Sequence, residues 1–279
     1  MTAVRALLAE AREVLHVENP SREGEILLAC ALDKTRAWLF AHATDEVDDE
    51  VAGRYRAMLA RRHAGEPIAY ITGHREFRSL DLLVTPAVLI PRPDTELLVE
   101  IALRHIPQSA KVDIADLGTG SGAIALAIAS ERPDARIIAV DSCAAALDVA
   151  RANAQRLRID NVEFRHSDWF EALGDVRFDM IVSNPPYIPL GDEHLSQGDL
   201  RFEPAQALSA GDDGLDAIRT IVARASSHLR KNGRVLLEHG FDQGAAVRNL
   251  LERHGFDDVF TEQDIEARDR VSGGTLRET

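Results

Sequence analysis

The stretch from Val112 to Ala129 constrains the fold of this chain more than any other. It reads Val-Asp-Ile-Ala-Asp116-Leu-Gly118-Thr119-Gly120-Ser121-Gly122 and continues as Ala123-Ile-Ala-Leu-Ala-Ile-Ala129. A short apolar run, a turn with three glycines and an apolar helical run together make the opening of a βαβ unit. Glycines in that turn let the backbone bend without steric cost and come close to a ligand. Downstream, strand patterns at 136–140, 162–164, 178–183 and 233–238 alternate with helical patterns at 143–158, 215–229 and 243–254. Such alternation predicts an α/β fold with a parallel sheet covered by helices on both faces. The last two strands, near 257–262 and 269–277, are expected to pair antiparallel.

In an open sheet of this kind the ligand crevice lies outside the carboxyl ends of the strands. Four successive strand ends carry polar or aromatic signals. The glycine turn is the first, although a lone Gly-x-Gly-x-Gly is weak because dinucleotide-binding folds use a similar turn. Asp141 ends the second strand, where a ribose-binding carboxylate belongs, and it is equally suited to cap the next helix. Ser167-Asp168-Trp169-Phe170 follows the third, so Trp169 is placed to flank an adenine, although a single Trp there is just as compatible with ordinary core.

The fourth end reads Asn184-Pro185-Pro186-Tyr187, directly after Phe178-Asp-Met-Ile-Val-Ser183. Two prolines fix φ and supply no N–H, so the backbone there offers only carbonyl acceptors. Asn184 adds a side-chain carbonyl, and Tyr187 adds a flat apolar wall whose hydroxyl can equally face solvent. Acceptors beside a π-face suit a planar NH2 group that must be held by its hydrogens.

The first part of the chain reads differently. Helical periodicity runs through 2–17, 20–32, 35–42 and 48–64, with Asn19-Pro20 as a start signal, which predicts a small helical bundle. Residues 76–84 and 87–90, separated by Thr85-Pro86, are expected to form a hairpin linking the two parts. The domain division is therefore 1–75, 76–91 and 92–279. Asp94-Thr95 is expected to cap a helix whose Leu97, Leu98, Ile101, Ala102 and His105 share a face. The segment 188–214 is long for a connection, which favours a functional loop.

Net charge is −14, and −12 of it falls on residues 76–279. A charge-driven grip on duplex DNA needs many neutralised phosphates, so this acidic half argues against direct DNA binding. Cys30 and Cys143 are far apart, and ten histidines are scattered without ligand spacing, so no metal is expected. Arg5, Glu10, Arg12 and Glu13 interrupt the N-terminal apolar residues and argue against a signal peptide. With no membrane-length apolar run, a cytoplasmic protein is expected. Arg54, Arg56, Arg61, Arg62 and His63 cluster on one helical pattern, either as a docking face or as a solvated surface.

The turn from Asp116 to Gly122 resembles motif I of class I S-adenosylmethionine-dependent methyltransferases. Asn-Pro-Pro-Tyr resembles the motif shared by N6-adenine and N5-glutamine methyltransferases. Residues 89–96 (Leu-Ile-Pro-Arg-Pro-Asp-Thr-Glu) and 197–208 (Gln-Gly-Asp-Leu-Arg-Phe-Glu-Pro-Ala-Gln-Ala-Leu) resemble segments of the bacterial peptide chain release factor N5-glutamine methyltransferase family. The resemblance implies a seven-stranded Rossmann-like sheet and methyl transfer from S-adenosylmethionine, leaving S-adenosylhomocysteine. It implies the Gly-Gly-Gln glutamine of a release factor as acceptor, docked by the N-terminal bundle. It places Gly118, Thr119, Gly120, Ser121, Gly122, Asp141, Trp169 and Asn184 on the cofactor. It places Asn184, Pro185, Pro186 and Tyr187 on the substrate, with Asn184, Pro185 and Tyr187 in catalysis. Asp116 meets the amino-acid end of the cofactor or simply caps its strand, and Arg92, Arg201 and Glu203 receive no role. A ribosomal-protein glutamine methyltransferase and an N6-adenine DNA methyltransferase are the alternatives. An oxidoreductase would leave Asn-Pro-Pro-Tyr unexplained.

Overall fold

A computed structural model describes residues 1–277. The chain divides into two compact units, Met1–His74 with Ser196–Phe202, and Arg75–Leu195 with Glu203 onward.

In the first unit, helices span Val4–Val14, Pro20–Leu32, Arg36–Ala41, Asp49–His63 and Ile68–Thr72. Asn19 caps the second, accepting from the Arg22 amide, and Pro20 fills the first turn, where a missing N–H costs nothing. Leu7, Leu27, Leu28, Leu39 and Tyr55 form its core, and the Tyr55 hydroxyl donates to the Leu7 carbonyl at 3.1 Å. Each fully buried aliphatic side chain of this kind contributes roughly 1.5–3 kcal/mol. The arginine cluster on Asp49–His63 is not a free basic face. Arg54 pairs with Glu50, Arg56 with Glu10, Arg61 with Glu66, and Arg62 with both Glu23 and Asp199. His63 Nδ1 meets the Val14 carbonyl at 2.8 Å. Arg201 donates to the Ala64 carbonyl and stacks over Phe202, which fastens the returning segment to this unit.

The second unit begins with a hairpin, but not the expected one. Its strands are His74–Phe77 and Leu80–Leu83, and 84–91 continues without strand structure. The turn is Arg78-Ser79, both with positive φ (46° and 64°), the conformation that Asn-Gly usually signals. Neither residue advertises it, so 76–84 and 87–90 read as the two strands. Asn153, fully buried, ties this hairpin down: Oδ1 accepts from the Leu83 amide at 2.6 Å, and Nδ2 donates to the Leu83 and Ser121 carbonyls.

Seven strands form the central sheet: β1 (Asp113–Leu117), β2 (Arg136–Asp141), β3 (Val162–His166), β4 (Phe178–Ser183), β5 (Leu229–Glu238), β6 (Phe256–Gln263) and β7 (Asp269–Leu276). Their order is β3-β2-β1-β4-β5-β7-β6. The first five run parallel; β7 pairs antiparallel with both β5 and β6. Five helices cover the sheet: α1 (Thr95–His105), α2 (Ala123–Glu131), α3 (Ala144–Leu157), α4 (Asp216–His228) and α5 (Gly244–Arg253). Strand residues alternate between two cores, because successive side chains point to opposite faces. Ile137, Ala139, Val182 and Leu236 join one with α1 and α2. Ile138, Val140, Ile181, Val235 and Leu237 join the other with α4 and α5. Burial on both sides explains why these strands read as unbroken apolar runs. The chain leaves β1 for β2 on one side and later enters β4 on the other, which opens a crevice at the β1 and β4 carboxyl ends.

Candidate active site

That crevice is a cleft of about 960 Å³, part of it open to solvent. Gly118, Thr119, Gly120, Ser121, Asp141, Trp169, Asn184 and Pro186 line it, together with Arg92, Thr95, Ser142, Cys143, Asp168 and residues 87–89. Four consecutive strand ends therefore converge on one hollow. Gly122, Pro185 and Tyr187 do not line it.

Gly120 sits at φ +55° with open space where a Cβ would stand, so the turn leaves room for a ligand against its backbone. Asp141 holds the turn in place: Oδ2 accepts from the Gly120 amide and Oδ1 from the Cys143 amide, each at 2.8 Å. It is thus both an anchor for the glycine turn and the cap at the start of the next turn. Each oxygen keeps lone-pair capacity for a ribose hydroxyl. Trp169, at φ +48°, turns its ring over Gly118.

Asp116 lies beneath the turn and not on the cleft wall. Its Oδ2 accepts from Thr119 Oγ1 (2.6 Å) and from the Ala125 amide (3.2 Å), which makes it an anchor for α2. Oδ1 is buried with no partner among the described residues. Burial pushes this carboxyl up to about 7, against the opposing pull of Thr119 and Ala125. The residues present fit S-adenosylmethionine: an open glycine backbone, a carboxylate for hydroxyls and an indole face for a base.

At the β4 end, Asn184 Nδ2 donates to Thr95 Oγ1 at 3.0 Å. No group among the described residues donates to its Oδ1, so the carbonyl is left as an acceptor. Thr95 was expected to cap α1 with Asp94, but Asp94 makes no cap bond. Its carboxylate pairs with Arg270 at 3.3 Å, and the Thr95 hydroxyl serves the site instead. The Tyr187 hydroxyl is not a solvent contact. It donates to Glu238 Oε1 at 3.3 Å, and burial raises its pKa.

Three residues went unassigned in the sequence. Glu238, the last residue of β5, is fully buried; its Oε1 accepts from the Tyr187 hydroxyl, its Oε2 has no partner among the described residues, and burial pushes the carboxyl up to about 7. The only signal was an acid closing the apolar run Val235-Leu236-Leu237. The carboxylate of Glu203, its side chain fully buried, takes the Arg92 guanidinium and the Ile90 amide, which braces the 90–92 wall of the cleft. Arg92 and Glu203 therefore have a shared structural role.

Residues 2–73 match a family model described as PrmC N-terminal domain, and residues 94–199 one described as methyltransferase small domain. The release factor glutamine methyltransferase of Xylella fastidiosa (strain Temecula1) is 52% identical over 269 residues, 96% of each chain. That of Escherichia coli (strain K12) is 50% identical over 257 residues, 92% of each chain. The chain belongs to the release factor glutamine methyltransferase family. Among solved structures, a Thermus thermophilus 16S rRNA N2 G1207 methyltransferase, in complex with AdoMet and guanosine, aligns with a TM-score of 0.55. The match covers 73% of this chain and 50% of that one at 23% identity, and it speaks for the fold alone. Among the described residues of this family member, no helix is long and apolar enough to cross a membrane. Nor do three or more His, Cys, Asp or Glu side chains gather in a metal-holding group among them.

Proposed function

We propose that this chain transfers a methyl group from S-adenosylmethionine to the side-chain amide nitrogen (N5) of a glutamine in peptide chain release factors, and thereby modulates translation termination in the cytoplasm. The observation that carries the reading is the state of Asn184. Its NH2 is committed to Thr95, and among the described residues its carbonyl stands without a donor at the end of β4.

When bound, S-adenosylmethionine supplies an electrophilic methyl on a sulfonium. The protein's task is to present a poor nucleophile. An amide nitrogen shares its lone pair with the carbonyl, and the rotation barrier of ~18–20 kcal/mol measures how firmly. The Asn184 side-chain carbonyl and the Pro185 main-chain carbonyl accept the two amide hydrogens, which fixes the nitrogen and favours its pyramidalisation. Neutral hydrogen bonds net about 0.5–1.5 kcal/mol each, too little to account for catalysis by strength. Alignment of reacting atoms contributes roughly 7–11 kcal/mol, so geometry carries the main effect. The nitrogen then sheds a proton to water. Gly118–Ser121, Asp141 and Trp169 hold the methyl donor.

The first unit is assigned to docking the release factor. Its clustered arginines are engaged with acids of the same unit, so docking there rests on other surfaces. Incubation with methyl-labelled S-adenosylmethionine and either a release factor or duplex DNA tests the assignment. Label enters the release factor if it holds; label in DNA alone refutes it.

A further inference from the structure

Gln243 stands at the start of α5, but its side chain makes no cap bond to that helix. It is buried and reaches instead to the exit of the Asn-Pro-Pro-Tyr tetrapeptide. Nε2 donates to the Tyr187 carbonyl at 3.0 Å and to the Asp213 carbonyl at 3.1 Å, while Oε1 accepts from the Gly240 amide at 2.8 Å. Only one orientation of the amide satisfies these partners. Two carbonyls can take nothing but its hydrogens, and an N–H nothing but its oxygen. One side chain thus ties the last residue of the tetrapeptide to the place where the long loop after it returns. Gly214 shows how close the two ends come. It sits at φ +73°, and a Cβ there would stand 2.1 Å from the Tyr187 carbonyl oxygen and 2.8 Å from Gln243 Nε2.

We infer that Gln243 is a positioning residue for methyl transfer: by clamping the Tyr187 carbonyl, it holds the Asn184 and Pro185 acceptors where the glutamine amide must sit. The inference rests on the reading of those two carbonyls as acceptors for the substrate. The rings of Pro185 and Pro186 fix φ at both positions, so few free torsions separate the clamp from the acceptors. At the other end, the buried Ser183 hydroxyl donates to the Leu117 carbonyl at 2.6 Å, which fastens the last residue of β4 to the last residue of β1. The tetrapeptide is therefore held from both sides, and Gln243 supplies the hold that the sheet does not. Glu238 takes the Tyr187 hydroxyl and so steadies the ring; Gln243 steadies the backbone.

Loss of the donor at 243 leaves the Tyr187 and Asp213 carbonyls without their shared partner. The neck of the loop can then widen, and the Pro185 carbonyl drifts with it. Gln243 does not line the cleft, and neither do Tyr187, Asp213 and Gly214. The glycine turn, Asp141 and Trp169 keep their places when the clamp opens, so the loss falls on transfer and not on cofactor binding. Displacing a positioning group by about 1 Å costs on the order of 100-fold in rate.

The test is steady-state methylation of a release factor by the wild type, Gln243→Met, Gln243→Glu and Gln243→His. Calorimetry gives the cofactor Kd, and circular dichroism melts show which variants fold. Gln243→Met keeps the length and removes both donors; it is expected to lower kcat by about 10- to 100-fold at saturating cofactor and release factor. Gln243→Glu, when ionised, only accepts and should lose at least as much, whereas Gln243→His can donate one ring N–H and should recover part of the loss. Cofactor Kd should stay within about threefold of wild type in all three. A folded Gln243→Met with kcat within about threefold of wild type overturns the inference, as does a loss that tracks a weakened cofactor Kd. Should Gln243→Met not fold, the other two variants decide it, and an equal kcat for Gln243→Glu and Gln243→His overturns it. A wild type that methylates no release factor refutes the functional reading instead.

Discussion

Asp116 shows how a single residue can be both anchor and liability. Both of its hydrogen bonds land on one oxygen, and the other is buried without a partner among the described residues. Its pKa rises from 3.8 to about 7. A group raised in the folded state binds its proton more tightly there. Its stabilisation is complete below about pH 4 and is lost as pH climbs through about 7. Asn at this position does not titrate. The unfolding free energy of Asp116→Asn relative to wild type should therefore improve by about 2 kcal/mol between about pH 5 and about pH 8. Denaturant titrations at both pH values measure it, and a difference that does not change with pH contradicts the assignment. At this scale the sequence was legible where a residue type has few uses, as with the glycine turn, Asp141 and Asn184. Thr95 and Glu238 were not, because a Thr at a helix start looks like a cap and an acid at a strand end looks solvated. Only the fold brings them together.

Among the elements, the hairpin departs furthest from expectation. Arg78 and Ser79 both occupy the left-handed region, which costs an L-residue with a Cβ roughly 1–2 kcal/mol. Replacing Ser79 with Gly should thus raise stability by about 1 kcal/mol, read as a higher denaturation midpoint at unchanged slope. An unchanged or lower midpoint would mean that the turn is not strained there. The sheet strands and their helices were legible because two-sided burial leaves continuous apolar runs between glycine and proline punctuation. The hairpin was hidden because its turn carries neither Gly nor Asn, and the apolar residues between Val84 and Ile90 serve core and cleft instead of strand pairing. Helix α1 was placed correctly, although Thr95 serves Asn184 and the preceding Asp94 pairs with Arg270 where a cap was expected.

On the scale of the whole molecule, topology decides where chemistry can happen. The reversal of direction at β1 and β4 leaves one crevice, and the chain delivers its glycine turn, Asp141, Trp169 and Asn184 to it from four successive strands. The acidic balance of the second unit suits a protein acceptor better than a nucleic acid. What the sequence could not disclose at this scale was the return of Ser196–Phe202 to the first unit, since no local pattern encodes a long-range partner. The central claim is that Asn184 presents a glutamine amide for methylation. Its most direct test is tandem mass spectrometry of a release factor after incubation with isotope-labelled S-adenosylmethionine and either wild type or Asn184→Ala. The account predicts a labelled methyl on a glutamine side-chain nitrogen with the wild type, and a loss of at least about 100-fold with the variant, while cofactor binding persists. A label on any other residue, or undiminished labelling by Asn184→Ala, would contradict it.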